Sequence, residues 1–352
     1  MNRNSFLILA GVTAIAVIAA IVQVTQTQRS MTVVSSNSER AFPGLADKVN
    51  TVAQIDIVSS EAKFSVTRTD KGWGLKDKSG YKVSFAKVKT AIVGLGELKL
   101  LESKTSDPKR YERLQVENPD SIKAKSIGVT LKGADGKTLA NGIIGMRRAG
   151  LFGTGGAGTY VRRGGDKMSW LAKGAVELGA KPNDWMIRDI VNIEAEKIRR
   201  AVIRQPDMAE IVITKATPSG RKYAVAGVPA GRKLKDEEEG KNMAGGLWRL
   251  SFEDVKKADE IKFPETINVA EYETFGGLKV RVEMTVVDKV VWAKFSATVD
   301  SSVGDVKSLE KAKEQADKIN ATATGWVYEL SAGEGEKLTT KIEDILEKKK
   351  AS

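Results

Sequence analysis

The sequence contains no cysteine and no histidine among its 352 residues. These absences exclude histidine-based acid–base catalysis, a thiol nucleophile and zinc sites built from histidine or cysteine. They also exclude disulfide bonds, although this alone does not distinguish an oxidising from a reducing compartment. Aromatic residues make up only 6% of the chain, and no basic stripe alternates with stacking rings. The sequence therefore predicts no nucleic-acid partner.

One long apolar segment lies near the start of the chain. The nineteen residues Phe6–Val24 carry no charge, and as a helix they would span roughly 28 Å, the thickness of a bilayer's hydrocarbon core. The A-x-A triplet Ala14–Ala16 is the only signal-peptidase motif in this segment, and cleavage there would leave an apolar N-terminus. We therefore expect an uncleaved anchor at residues 1–28, and the missing cysteine excludes a lipoprotein. The short leading tail favours a cytoplasmic N-terminus and a periplasmic body at a bacterial inner membrane.

The net charge of +12 predicts that the exported body attracts anionic partners. A basic body beside a membrane would attract anionic lipid headgroups and envelope polymers. The 57 basic and 45 acidic residues are interspersed rather than blocked, so most of them are expected to form an ordinary solvated surface. Binding of an anionic envelope polymer remains an open alternative.

The body is predicted to be an α+β protein made of two related, β-rich modules. A polar stalk, residues 29–48, precedes the first module at residues 49–189. The second module covers residues 190–330, and a C-terminal helix with a basic tail occupies residues 331–352. More than one core is expected, because a body of this length exceeds what one core usually organises.

The same order of predicted elements occurs in both modules. In the first, alternating apolar residues predict strands that end at Gly72–Leu75, and Ser84 begins a helix with apolar residues at helical spacing. In the second, Gly246–Leu250 repeats the Gly, Trp, Leu signature, and Ser251 begins a helix that continues to Ile261.

The tryptophans of the two modules allow two interpretations. Trp73, Trp248 and Trp326 could stack on a ligand. Each has aliphatic neighbours at strand spacing, so we expect them to be buried where a hairpin packs on its helix.

Other local patterns predict hairpins, helices and one loop. Asp135–Gly136 and Asp288–Lys289 each separate two apolar runs, which is typical of hairpin turns. Helices are expected at residues 305–320 and 336–348. Residues 228–245 are rich in glycine and charge, and they predict a mobile excursion.

Several motifs imitate functional sites, but none assigns a catalytic, cofactor-binding or metal-binding residue. Gly153–Gly158 matches G-x-G-x-x-G, yet a strand rather than a helix follows it. Asp135–Thr138 is predicted to be a turn. Ser60–Lys63 and Ser84–Lys87 have the S-x-x-K spacing without a K-T-G strand. The acidic run Asp236–Glu239 is flanked by lysines, which favours a solvated loop over a calcium site.

Five short motifs resemble one known family. They are the W-x-L strand around Trp73, Asp135–Leu139 (DGKTL), Tyr160–Arg162 (YVR), Trp185–Ile190 (WMIRDI) and Gly325–Leu330 (GWVYEL). Together with the N-terminal apolar segment, they make the chain similar to the domain-of-unknown-function 4340 family. The resemblance implies a single-anchor envelope protein that accompanies ABC-type exporters related to the gliding-motility transporter. It implies no catalytic residues and no cofactor.

The sequence thus predicts a non-enzymatic, membrane-anchored accessory subunit that contacts the membrane subunits of an ABC-type transporter or another envelope protein. The oligomeric state is left open. Besides polymer binding, the other alternative is an envelope hydrolase, which would need two carboxylates about 5 to 10 Å apart in one cleft.

Overall fold

The computed structural model describes residues 39–152 and 156–348. The predicted anchor Phe6–Val24 and residues 29–38 of the predicted stalk lie outside these ranges. Within the described ranges, no helix is both long enough and apolar enough to cross a membrane. The later part of the predicted stalk contributes to the folded body, because Phe42 and Leu45 are buried.

The secondary structure of the described residues is as follows. The strands are β1 (Val52–Val58), β2 (Lys63–Thr69), β3 (Gly72–Leu75), β4 (Tyr81–Lys82), β5 (Lys99–Thr105), β6 (Ile127–Gly133), β7 (Thr138–Ala149), β8 (Ala157–Arg163), β9 (Ser169–Lys173), β10 (Ile198–Arg204), β11 (Ile211–Thr214), β12 (Ala224–Ala226), β13 (Asp254–Lys257), β14 (Asn268–Thr274), β15 (Leu278–Val287), β16 (Val290–Val299) and β17 (Trp326–Leu330). The α-helices are α1 (Leu45–Lys48), α2 (Phe85–Glu97), α3 (Glu239–Ala244), α4 (Val306–Ala323) and α5 (Ala332–Leu338). Short 3-10 helices occur at Val49–Thr51, Lys76–Lys78, Pro108–Leu114, Pro182–Asp184, Ala195–Lys197, Gly245–Leu247 and Ile342–Ile345.

The strands form two antiparallel sheets, and the chain divides into two compact units. The described part of the first unit comprises residues 39–63, 86–152 and 156–180. The second unit comprises residues 64–85 and 181–348. The prediction of an α+β protein with β-rich parts is therefore confirmed.

The same strand order occurs in both units. It is β1-β6-β7-β8-β9-β5 in the first and β10-β14-β15-β16-β17-β13 in the second. In each unit a helix precedes the last strand of this order along the chain, α2 before β5 and α3 before β13. The internal repeat predicted from the sequence thus appears as a repeated topology.

Local sequence explains several of these elements. In α2 the buried residues Val88, Ala91, Ile92 and Leu95 recur at helical spacing, so one face of the helix packs on the core. The hairpin predicted at residues 288–289 joins β15 to β16, and both turn residues have positive φ, 51° and 68°. Positive φ at both central positions is the geometry of a tight two-residue hairpin turn.

The predicted signature strand around Trp248 is wrong. Gly245–Leu247 forms a 3-10 helix, and Trp248 follows it in a turn. The predicted helix from Ser251 to Ile261 is also wrong, because Asp254–Lys257 forms β13 and pairs with β17. The backbone hydrogen bonds to this distant strand outweigh a short helical pattern.

The two predicted C-terminal helices have different outcomes. The helix predicted at residues 305–320 is confirmed as α4, and the Asp305 carboxylate caps it by accepting a hydrogen bond from the Ser308 N–H at 2.8 Å. The helix predicted at residues 336–348 is wrong as a single element. Helix α5 begins after Ser331 and ends at Leu338, and a separate 3-10 helix follows.

A short antiparallel meander, β2-β3-β4, belongs to the second unit. Its Tyr81 ring makes edge contacts with Phe252, Trp326 and Tyr328, with centroids 5.8, 5.0 and 6.1 Å away. Edge-to-face packing of this kind is favourable for aromatic rings. An aromatic cluster therefore attaches the meander to the core of its unit.

Candidate functional site

Trp248 is an exposed tryptophan of the second unit. Its relative exposure is 49%. The Arg249 guanidinium lies over its ring, 4.8 Å from the centroid. Large apolar side chains usually lose most of their surface to the core. A half-exposed indole that carries a stacked arginine therefore marks a surface able to contact another molecule.

The turn that presents Trp248 is fixed on both sides. Arg249 adopts a left-handed backbone, with φ 52°, and its N–H donates to the Asn192 side-chain oxygen at 2.9 Å. The next residue, Leu250, is buried and forms a β-bridge with Val191. A left-handed conformation is uncommon for a side chain as large as arginine. The turn keeps Trp248 and Arg249 outside while Leu250 enters the core.

A cleft of about 540 Å³ opens beside Trp248. Its lining includes Glu194, Glu196, Lys241, Asn242 and Lys337. This volume is within the range of pockets that hold small molecules or peptide side chains.

Two further clefts adjoin the first around the Ala195–Lys197 turn. One of about 570 Å³ shares Glu194 and Glu196 with it. The other, of about 340 Å³, shares Glu196 and Lys241 and reaches Lys215. We call the three clefts together the Trp248 groove.

Lys215 is the buried charge of this groove, with 5% of its surface exposed. Its ammonium donates to the backbone oxygens of Glu196 at 2.8 Å and Pro218 at 3.0 Å. The rings of Tyr223 and Phe275 lie 5.4 and 5.8 Å from its Nζ. Burying a charge is costly unless dipoles or counter-charges compensate it. Here carbonyl oxygens and ring faces do so.

Ion pairs link acidic and basic side chains within the groove. The Lys241 ammonium lies 3.3 Å from the Glu196 carboxylate and 3.9 Å from that of Glu238. The pKa of Glu196 is lowered, first by a hydrogen bond from its own backbone and then by Lys241. Burial and the nearby carboxylates raise the pKa of Tyr223 to about 12. Glu196 is therefore ionised and Tyr223 is neutral at neutral pH.

A different pair of carboxylates corresponds most closely to the hydrolase alternative. Asp254 on β13 and Glu329 on β17 are directly opposite in the antiparallel register, where Cβ atoms are about 5 Å apart. The Lys78 ammonium is 2.6 Å from the Asp254 carboxylate. Neither carboxylate lines the Trp248 groove.

Glu329 gives a pH-dependent prediction. Burial raises its pKa above the ordinary 4.5, and the charges of Asp254 and Glu253 add to the rise. The fold therefore favours the protonated carboxyl, so its contribution to stability is present below the ordinary pKa and is lost as the pH rises through the folded pKa. We expect Glu329→Gln to raise the unfolding temperature at pH 7. The gain should shrink as the pH falls toward 4, in circular dichroism melts.

The exposed helix residue Glu310 supplies a matched control for this measurement. Glu310→Gln removes the same charge at a solvated position, where surface substitutions change stability little. An equal effect of both substitutions at pH 7 would show that Glu329 carries no unfavourable charge.

The same face of the second sheet carries further paired charges. The Arg281 guanidinium lies 2.6 Å from Glu271 and 2.9 Å from Glu283, and Arg199 lies 2.9 Å from Glu273. Because these charges neutralise one another, the ion pairs are better suited to holding the strands together than to attracting a ligand.

The profile of one protein family, described as Domain of unknown function (DUF4340), matches residues 73–268. The chain belongs to this family. No curated protein and no solved structure matches the chain. The family-matched segment contains Trp248, Lys215 and Lys241, whereas the predicted family motif Gly325–Leu330 lies beyond it.

The Ser60 and Lys63 side chains contact other residues. The Ser60 hydroxyl donates to the Ala124 carbonyl at 2.8 Å, and the Lys63 ammonium lies 3.7 Å from Asp120. Ser84 directly precedes α2, and its N–H donates to the Trp185 carbonyl at 2.9 Å. These contacts are typical of turns and helix ends.

The remaining motifs also lie in turns. Asp236 accepts a hydrogen bond from the Glu238 N–H at 2.8 Å, at the start of α3. Across residues 39–152 and 156–348, no group of three acidic side chains could hold a metal ion. The Asp135 carboxylate accepts from the Lys137 N–H, which lowers its pKa. Of the glycine-rich motif, residues 153–155 are not among the described residues, and Ala157 begins β8.

Sequence reasoning missed the Trp248 groove. Lys215 directly follows a strand, and no local pattern distinguishes it from the other 56 lysines and arginines. The sequence pattern predicts a buried Trp248, which is wrong, because 49% of the side chain is exposed. Its neighbour Arg249 and the preceding Gly245 and Gly246 were the signals of a turn.

Proposed function

We propose that this protein is a membrane-anchored, extracytoplasmic accessory subunit of an ABC-type transport system, and that it acts through protein contact rather than catalysis. The observation that carries the proposal is the half-exposed Trp248 with Arg249 stacked on its ring. Tryptophan and arginine are enriched among the residues that contribute most binding energy at protein interfaces. The groove beside them supplies a concave surface that a partner segment can enter.

The N-terminal segment supports a membrane-bound partner. Phe6–Val24 is uncharged and long enough to span a bilayer as a helix. Attachment to the membrane would confine the body near other membrane subunits, which raises its effective concentration toward them. A modest docking surface is then sufficient. The likeness to single-anchor envelope proteins points to an ABC-type permease as the partner.

Site-specific photo-crosslinking in the native membrane tests this proposal. The photoreactive residue p-benzoylphenylalanine replaces Asn242, which is exposed and lines the groove beside Trp248. We expect an adduct with a polytopic ABC-transporter subunit, identified by mass spectrometry. Adding Trp248→Ala should reduce its yield several-fold, because truncating an interface hot spot costs about 2 kcal/mol or more.

The control places the same photoreactive residue at Lys137, an exposed position in the β6–β7 hairpin turn. Adducts of equal yield at Lys137 and Asn242 would indicate random collision. Absence of a transporter subunit from the Asn242 adducts would contradict the proposed function.

A further inference from the structure

We propose that the Trp248 groove binds an extended acidic segment of its partner, with carboxylates beside Lys215 and Arg221 and an apolar side chain against Trp248. This inference rests on the proposed function, since it specifies the chemistry of the protein that docks there. It assigns a separate task to each end of the groove.

The Lys215 ammonium has one N–H donor that makes no hydrogen bond within the described residues. An ammonium has three N–H donors, and two of them bond to the backbone oxygens of Glu196 and Pro218. Within the part of the chain that the structure describes, no carboxylate forms an ion pair with Lys215. The residue is nine-tenths buried and lines the cleft. A ligand carboxylate would add a direct ion pair to the weaker attraction between Lys215 and the Glu196 carboxylate. The site is partly dehydrated, where such a contact is strong.

The charges lining the groove favour an acidic occupant. The acidic groups are three, namely Glu194, Glu196 and Glu238. The basic groups are six: Lys197, Lys215, Arg221, Lys241, Lys311 and Lys337. Ion pairs occupy Lys197, Lys241 and Lys337. Lys215, Arg221 and Lys311 have no ion pair among the described residues. Arg221 is exposed in the same cleft as Lys215, whereas Lys311 lines a different cleft. Lys215 and Arg221 can therefore receive a partner's carboxylates together.

The size and chemistry of the groove favour a peptide over a small anion. Three adjoining clefts of about 540, 570 and 340 Å³ exceed what one carboxylate or phosphate would fill. One cleft contains Trp248 and another contains Lys215 and Arg221, so a peptide with both apolar and acidic side chains would find a partner for each. The net charge of +12 would also steer an acidic partner toward the body.

Fluorescence anisotropy of a labelled peptide with the purified full-length protein in mild detergent tests the inference. The probe is a short peptide in which glutamate alternates with serine around one leucine, and its counterpart carries lysine in place of glutamate. We expect the glutamate peptide to bind, and to bind more weakly as salt is added. The lysine peptide should not bind. Inorganic phosphate at equal concentration should not displace the probe.

Three variants localise the binding. Lys215→Met and Arg221→Gln should each weaken it, the former by about tenfold or more, as expected for a lost charge-assisted contact. Arg221 is exposed, so its variant remains informative if Lys215→Met fails to fold. Lys289→Gln removes one charge from the exposed β15–β16 turn and should leave affinity within about twofold.

Equal binding of the two peptides, or parental affinity in both the Lys215 and Arg221 variants, would overturn the acidic-segment inference. Crosslinking from Asn242 to a transporter subunit would then still support the proposed function. Peptide binding without that crosslink would instead contradict the proposed function alone. The two experiments therefore separate the two claims.

Discussion

Gly246→Ala is expected to lower the free energy of unfolding by about 2 to 3 kcal/mol, the usual cost of forcing an extra group into a packed core. A methyl group at Gly246 would lie 2.2 Å from the Tyr272 hydroxyl oxygen and 3.1 Å from Leu338. The Tyr272 ring is buried, so moving it aside would disturb the packing of the core. Urea unfolding followed by circular dichroism would measure the loss. Because Gly246 precedes the Trp248 turn, peptide binding should weaken as well.

The neighbouring glycine is a matched control. Gly245 belongs to the same 3-10 helix, but a methyl group there would meet its nearest atom, the Ala195 methyl carbon, at 3.7 Å. That is an ordinary contact, and alanine also reduces the freedom of the unfolded chain. Gly245→Ala should therefore be neutral or slightly stabilising. Equal losses at both positions would attribute the effect to the backbone of the turn rather than to Tyr272.

Tyr272 offers a rescue for the same substitution. Its buried hydroxyl has no hydrogen-bond partner among the described residues, and burial raises its pKa. Tyr272→Phe alone should add about 1 kcal/mol of stability, because an unsatisfied buried polar group is removed. In the Phe background, Gly246→Ala should cost less, since the closest atom is gone. The ring carbon at 3.0 Å remains, so the rescue is partial.

Local sequence was sufficient for elements whose determinants lie close together in the chain. The hairpin at Asp288–Lys289 and helix α4 after Asp305 depend on turn or cap residues and on the apolar pattern beside them. The strand order within each unit depends on pairings between distant strands. Only its repeat could be anticipated, from two similar successions of short apolar runs.

Long-range pairing explains the elements that were wrong. Asp254–Lys257 has residues at helical spacing on its C-terminal side, yet its backbone pairs with Trp326–Leu330 far along the chain. No local pattern contains that partner. The Trp248 groove is difficult to predict for the same reason. Its residues Glu196, Lys215 and Lys241 come from three separate segments that only the fold brings together.

Trp73→Ala and Trp248→Ala, two substitutions that appear identical in the sequence, should have opposite consequences. Trp73 on β3 is 6% exposed, whereas Trp248 is 49% exposed. Removing a buried tryptophan costs about 3 to 5 kcal/mol, because the transfer free energy of the ring is lost and a cavity remains. We therefore expect a loss of that size for Trp73→Ala in urea unfolding. Trp248→Ala should cost less than about 1 kcal/mol of stability, since much of its ring already contacts water.

The binding assays should give the reverse order. Trp248→Ala should abolish most of the Asn242 crosslink and weaken binding of the acidic peptide. Trp73→Ala, assayed below its unfolding transition, should retain both the crosslink and the peptide affinity. A conservative pair, Trp73→Phe and Trp248→Phe, keeps an aromatic ring and should moderate each effect. If Trp248→Ala instead destabilised the protein as strongly as Trp73→Ala, the indole would be part of the core, and the docking role of the groove would lose its principal support.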